Sequence, residues 1–131
     1  INFTQVARLL AALDKSSGSY LGDCGITIQN IDGVEEYEIG YHLKKTYWGL
    51  GYAAEAARAV KRYGFETLKL TRLCSYMESA HIQSRRVAEK IGMTLEKEYL
   101  NPNNRDLPTV VYSVVNADEP PRAVLPASPA S

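Results

Sequence analysis

Long apolar runs are missing from this chain: uninterrupted hydrophobic stretches last only a few residues, against the roughly 20 that a membrane-spanning helix needs. No charged-apolar-small secretory pattern opens it, so a cytoplasmic address is the default expectation. An excess of charge is missing too. Lys+Arg and Asp+Glu number 15 each, which argues against a general electrostatic affinity for nucleic acid or anionic membrane, and neither is expected as a partner. Cysteine is scarce. Cys24 and Cys74 sit in separate strand-like runs without metal-ligand spacing; they read as small core residues, and no metal is expected. No Gly-Lys-Ser/Thr follows a glycine loop, which excludes a nucleotide P-loop, and the third glycine and downstream acidic partner of a dinucleotide fingerprint are absent. No repeat is evident. The first residue is Ile1 rather than Met, so the natural start of translation is expected upstream.

What remains is an ordinary globular composition, 45% hydrophobic and 23% charged over 131 residues, enough for one domain with one core. Residues 1–116 are expected to form that domain, and 117–131, with four of the six prolines, a tail without its own core. Ile1 to Leu13 fits a helical stripe or a buried strand equally well. Tyr20 to Gln29 reads as a strand whose Gly22 and Gly25 suggest a bulge or a close neighbour. An Asp32-Gly33 turn then leads into Glu35 to Leu43, where Glu36, Glu38 and His42 alternate with Tyr37, Ile39, Tyr41 and Leu43, so the two runs should form a hairpin.

Tyr52 to Thr67 has helical spacing, with Ala53, Ala56, Ala57, Val60, Tyr63 and Gly64 on one side and Glu55, Arg58, Lys61 and Arg62 mostly on the other. Leu70 to Tyr76 is a short strand. Ala80 to Ile91 is a second helix, with Ile82, Val87, Ala88 and Ile91 inward and Gly92 as its stop. Thr94 to Leu100 and Val110 to Val115 supply two strands around a polar loop at 101–108. The order is β-β-β-α-β-α-β-β, an α/β (α+β) domain with a mixed, largely antiparallel sheet flanked by two helices.

The junction Lys44 to Tyr52 is the most informative stretch. A strand ending in Gly49-Leu50-Gly51 and opening a helix makes an anion site, because the first N–H groups of the helix lack intrahelical partners and carry the positive end of its dipole. Tyr37 to Leu43, Tyr47 to Ala56 and Ser84 to Met93, in this order and separation, resemble the GNAT acetyltransferases, particularly the RimJ/RimL-type N-acetyltransferases. The resemblance spans residues 9–115 and implies acetyl-CoA as co-substrate. It implies pyrophosphate held over Lys45, Thr46, Tyr47, Trp48, Gly49, Leu50, Gly51 and Tyr52, and the pantetheine arm beside Tyr41, His42 and Leu43. Ser84 resembles the family serine that contacts CoA and faces the sulfur; a simple first-turn hydroxyl is its plainer reading. Where the family usually has asparagine stands His81, a cofactor neighbour expected to alter the grip on CoA. The implied acceptor is a small-molecule amine or a protein N-terminus, with a homodimer allowed. Family members usually carry a strand and one or two helices ahead of the matching part, which form much of the acceptor pocket; either that part is absent, leaving the acceptor site incomplete or built by a partner subunit, or it precedes this sequence and ordinary catalysis is expected.

Acyl transfer to an amine needs a neutral amine, stabilisation of developing oxyanion charge and a proton for the thiolate. Glu38 is the favoured base; the alternative is a surface carboxylate on the solvated face of the hairpin. His42 shares its face and is a second candidate, or a structural or cofactor-side histidine. Main-chain N–H groups near Leu43 resemble the family's oxyanion donors, and Tyr99 and Tyr112 are further proton-donor candidates. Trp48 is expected to anchor the turn. Arg58, Lys61 and Arg62, and likewise Arg85 and Arg86, are either solvated or near the adenosine 3'-phosphate. The alternatives to catalysis are an acyl-CoA-binding domain without turnover and a structural or assembly domain.

Overall fold

The computed structural model describes residues 8–13, 20–43 and 51–118, with side chains for 23–42 and 51–118. Six strands and two α-helices follow the expected order: β1 (Arg8–Leu13), β2 (Tyr20–Ile31), β3 (Val34–Leu43), α1 (Tyr52–Arg62), β4 (Arg72–Glu78), α2 (Ile82–Lys90), β5 (Thr94–Asn101) and β6 (Leu107–Val115). Within the ambiguous stretch Ile1 to Leu13, residues 8–13 form strand β1, and the rest lies outside the described residues. In space the sheet runs β1-β2-β3-β4-β6-β5, antiparallel throughout except between β3 and β4. That parallel contact amounts to a single register pair, Glu38 with Cys74, among the described residues. Beyond it the strands part.

Both helices pack on the same face of the sheet. Ala54, Ala57 and Val60 of α1 and Ala88 of α2 meet Ile26, Ile39, Leu73, Val110 and Tyr112 there. Ala57, Val60 and Gly64 are buried as expected, and only at the start of α1 does the buried position fall on Ala54 rather than Ala53. Ile82, expected inward, is 49% exposed on the first turn of α2, beyond the edge of the core. The helical run ends its α-geometry at Arg62 and continues as a π-turn, Tyr63–Thr67. Asn116 closes that turn: its side-chain amide donates to the carbonyls of Phe65 and Leu70 at 3.1 and 3.0 Å. The polar loop at 101–108 is mostly ordered, into a 3₁₀ turn (Pro102–Asn104) flanked by strand.

On the opposite face Ile31, Cys74 and Val111 form a small cluster with Tyr76 and Tyr99 packed against it. Both thiols are buried, as expected of core cysteines, and burial pushes both up to about 12. They are neutral packing groups. No helix among the described residues is long and apolar enough to cross a membrane.

Candidate functional site

Where β3 leaves β4, the sheet opens into a cavity of about 510 Å³ lined by β2, β3, β4 and the start of α2. Ser75 marks the split: its hydroxyl donates to the Ile39 carbonyl at 2.7 Å, a side chain standing in for the missing ladder bond. Alternation along β3 then turns the main-chain groups of Tyr41 and Leu43 toward the same opening.

Glu38 lies in this cavity with 9% of its surface exposed, which rules out the solvated-carboxylate alternative. Its period-two neighbours explain its position. Ile39 faces the helices and is fully buried, so Glu38 must face the other way. Burial pushes its carboxyl up from 4.5 to about 7, against the pull of the Tyr76 N–H and the Thr27 hydroxyl, both of which hydrogen-bond to it. A carboxylic acid poised near neutrality is a proton acceptor matched to physiological pH. Glu36 shares its sheet face but is taken by Arg72 in a two-pronged pair at 3.2 Å, with Glu96 on the same guanidinium at 2.8 Å.

The structure brings Tyr41, His42, His81 and Ser84 to the same cavity. His42 is exposed at its edge. Tyr41 donates through its hydroxyl to the Ser84 carbonyl at 2.7 Å, tying β3 to α2, and burial, with Glu38 and Cys24 nearby, raises its phenol well above the usual range. His81 is the N-cap of α2: Nδ1 accepts from the Ser84 N–H at 3.3 Å. An imidazole thus does the capping work of an amide or hydroxyl, and the Ser84 hydroxyl lies 3.5 Å from its Nε2.

Gly51 sits at the N-cap of α1 with φ 83°, and among the described residues no side chain caps this helix. A Cβ there would meet no atom of the described residues within 4 Å. Left-handed backbone, an uncapped helix start and open space together suit an anion. Tyr52 opens the helix behind it. Lys45, Thr46, Tyr47, Trp48, Gly49 and Leu50 lie outside the described residues, and Leu43 is described by its backbone alone.

Other candidates are placed elsewhere. Tyr112 is buried under α2, donating to Glu89 at 2.9 Å and accepting from Arg85 at 3.1 Å, and Tyr99 belongs to the cluster on the far face. Neither lines the cavity. Arg58 and Lys61 donate to the carbonyls of Lys90 and Ile91 at the C-terminus of α2, favourable partners for the negative end of a helix. Among the described residues no group of three or more His, Cys, Asp or Glu is arranged to hold a metal ion.

Thr27, Ser75 and Tyr76 were not apparent as site residues. Period two on β2 places Thr27 on the polar face, but which residue it opposes depends on the hairpin register, Thr27 with Glu38. Ser75 and Tyr76 enter through the β3–β4 split, a contact between strands far apart in sequence.

Residues 3–94 match the family model for an acetyltransferase (GNAT) domain. YkkB, an uncharacterized protein of Bacillus subtilis (strain 168), is 41% identical over 104 residues, covering 79% of this chain and 59% of its own. YnaD of the same organism, an uncharacterized N-acetyltransferase, is 42% identical over 64 residues, covering 49% of this chain and 38% of its own. The chain thus spans about half the length of these curated relatives. The crystal structure of a GNAT-family acetyltransferase from Bacillus anthracis superimposes with a TM-score of 0.67 at 30% identity, covering 79% of this chain and 63% of that one.

Proposed function

This chain belongs to the GNAT acetyltransferase family, and on that premise we propose that it moves an acetyl group from acetyl-CoA to a primary amine by direct attack in a ternary complex. One observation carries the reading: a buried carboxyl raised to about 7 stands in the cavity that opens where β3 parts from β4.

Acetyl-CoA supplies the acetyl thioester. The residues present suit it, with an uncapped helix start at Gly51 for phosphate and main-chain groups of β3 freed by the split for an extended amide-bearing arm. Glu38 takes a proton from the acceptor ammonium, releasing the nitrogen lone pair. As nitrogen bonds to the acetyl carbon, the carbon–sulfur bond breaks and its electron pair leaves with sulfur. Nitrogen sheds its second proton and the thiolate gains one, so the protons balance. Ser84 faces the departing sulfur from the first turn of α2. Glu38 hands the proton it holds to water in the cavity, His42, exposed at the edge, is the second candidate base, and N–H groups near Leu43 hold the carbonyl oxygen. The acceptor is a small amine or a protein N-terminus, the latter in keeping with the RimJ/RimL-type resemblance.

Calorimetric titration with acetyl-CoA, followed by thiol release across a panel of amines, tests the proposal. Saturable binding with amine-dependent release is expected; binding with no release from any amine would leave only a CoA-binding domain.

A further inference from the structure

Gln29 reaches the base site through an intermediary. It lines the cavity on the same face of β2 as Thr27, two residues away, and its cross-strand partner is Glu36, not Glu38. Glu36 gives both carboxylate oxygens to Arg72. The Gln29 amide turns instead along its own strand, where Nε2 donates to the Thr27 hydroxyl oxygen at 3.0 Å. Its other end is held from β4, where the Tyr76 hydroxyl donates to Oε1 at 3.4 Å. β3 lies between β2 and β4 in the sheet, so this contact passes over the strand that carries Glu38.

These contacts give the Thr27 hydroxyl a direction. A threonine hydroxyl has one hydrogen to donate and rotates to suit its surroundings. With the Gln29 N–H on its oxygen, that hydrogen is left for the Glu38 carboxyl, which stands directly opposite Thr27 and accepts from it. The chain of donors therefore runs one way, from Tyr76 through Gln29 and Thr27 to Glu38.

The site depends on such donors. Among the described residues the titratable groups around Glu38 are Cys24 on β2, Tyr41 and His42 on β3, Tyr76 and Glu78 on β4, and His81 at the start of α2. No Lys or Arg among the described residues lines the cavity, and Arg72 is taken by Glu36 and Glu96. A buried carboxylate without a fixed cation beside it must be stabilised by hydrogen bonds. The Tyr76 N–H and the Thr27 hydroxyl supply them, and of the two only the hydroxyl can turn away.

We infer that Gln29 is a positioning residue for the proposed base, holding the Thr27 hydroxyl in the orientation that stabilises the Glu38 carboxylate. The catalytic meaning of this chain rests on the acetyltransferase reading and deepens it. Gln29 then helps to set the pH at which Glu38 accepts a proton, although it is paired with Thr27 and Tyr76 rather than with Glu38.

The test is a double-mutant cycle read in two ways: the ionisation midpoint of the Glu38 side-chain carboxyl by ¹³C NMR, its signal identified by its loss in Glu38→Gln, and the pH profile of kcat/KM for amine-dependent CoA release. Thr27→Val should move the Glu38 midpoint up by about one to two pH units, the worth of a hydrogen bond to a charged group. Gln29→Leu should move it part of the way in the same direction. In the Thr27→Val background Gln29→Leu should add nothing, because its effect passes through the hydroxyl that is gone. Thr27→Ser, which keeps the hydroxyl, should restore the parent midpoint, and Thr27→Ala replaces Thr27→Val if valine unfolds the protein. A folded Gln29→Leu protein with an unchanged Glu38 midpoint, or shifts that simply add in the double variant, would overturn the inference. If the Glu38 midpoint moves as expected while the kcat/KM profile stays in place, or if no amine is acetylated, the acetyltransferase reading of Glu38 fails and the positioning chain stands. If kcat/KM follows the Glu38 midpoint in every variant yet Gln29→Leu leaves both unmoved, the chain fails and the reading stands.

Discussion

The Ser75 hydroxyl donates a 2.7 Å hydrogen bond to the Ile39 carbonyl, fastening β3 to β4 at the point where their ladder ends. Both residues are buried, so the bond also satisfies a carbonyl that would otherwise face the interior unpaired.

Replacing Ser75 by Ala should therefore destabilise the protein by about 1–3 kcal/mol, the cost of a buried unsatisfied acceptor. Urea unfolding measures this. Because the bond sets how the split begins, amine-dependent activity should fall as well; a fully stable Ser75→Ala protein would show that water or a relaxed backbone replaces the hydroxyl.

Glu38 makes stability depend on pH. A carboxyl raised from 4.5 in the unfolded chain to about 7 when folded is protonated in both states below pH 4.5, where it costs nothing. Between pH 4.5 and 7 the unfolded chain ionises first, and stability falls by a total of about 3 kcal/mol. Above pH 7 the loss is complete. Thermal unfolding of Glu38→Gln should lack this component and show a higher Tm than the parent at pH 8. Parallel pH curves for the two proteins would place the ionisation elsewhere.

Gly51 gives the phosphate site a separable signature. Gly51→Ala puts a side chain on backbone at φ 83°, which costs about 1–2 kcal/mol of stability, yet its Cβ meets no atom of the described residues within 4 Å. If ligand phosphate uses that space, acetyl-CoA affinity should drop at least about tenfold, or 1.4 kcal/mol, in calorimetry on protein that remains folded. Unchanged affinity would reduce the glycine to a turn former.

His81 should respond to its role as helix cap. His81→Ala is expected to cost about 1 kcal/mol, as for loss of other N-cap side chains, whereas His81→Asn keeps an acceptor for the Ser84 N–H and should match or exceed the parent in Tm. If Ala and Asn behave alike, the 3.3 Å contact contributes little.

Periodicity made the order of elements legible. The alternation in β3 was strict enough to separate Glu38 from Ile39, and the helical spacing of α1 found its apolar side to within one residue. Contacts between distant segments were hidden. Glu36 and Glu38 look equivalent along the strand, but Arg72, brought alongside by the packing of β4, claims only Glu36. Ile82 has the right spacing for the core yet lies past its edge, since the first turn of α2 projects over the cavity. The Tyr112 hydroxyl reads as a proton donor until α2 covers it and Glu89 takes its hydrogen. That Thr27 stands opposite Glu38 needed the hairpin register, which the Asp32-Gly33 turn determines.

The rate of amine-dependent CoA release as a function of pH, for the parent and Glu38→Gln, tests the proposed base most directly. The parent kcat/KM should rise through a midpoint near 7 as Glu38 ionises, and Glu38→Gln should be slower by about 10²–10⁴-fold, the usual worth of a positioned base, with acetyl-CoA binding retained. A Glu38→Gln protein that keeps both the parent rate and its pH midpoint would contradict the assignment of Glu38 as the group that deprotonates the amine.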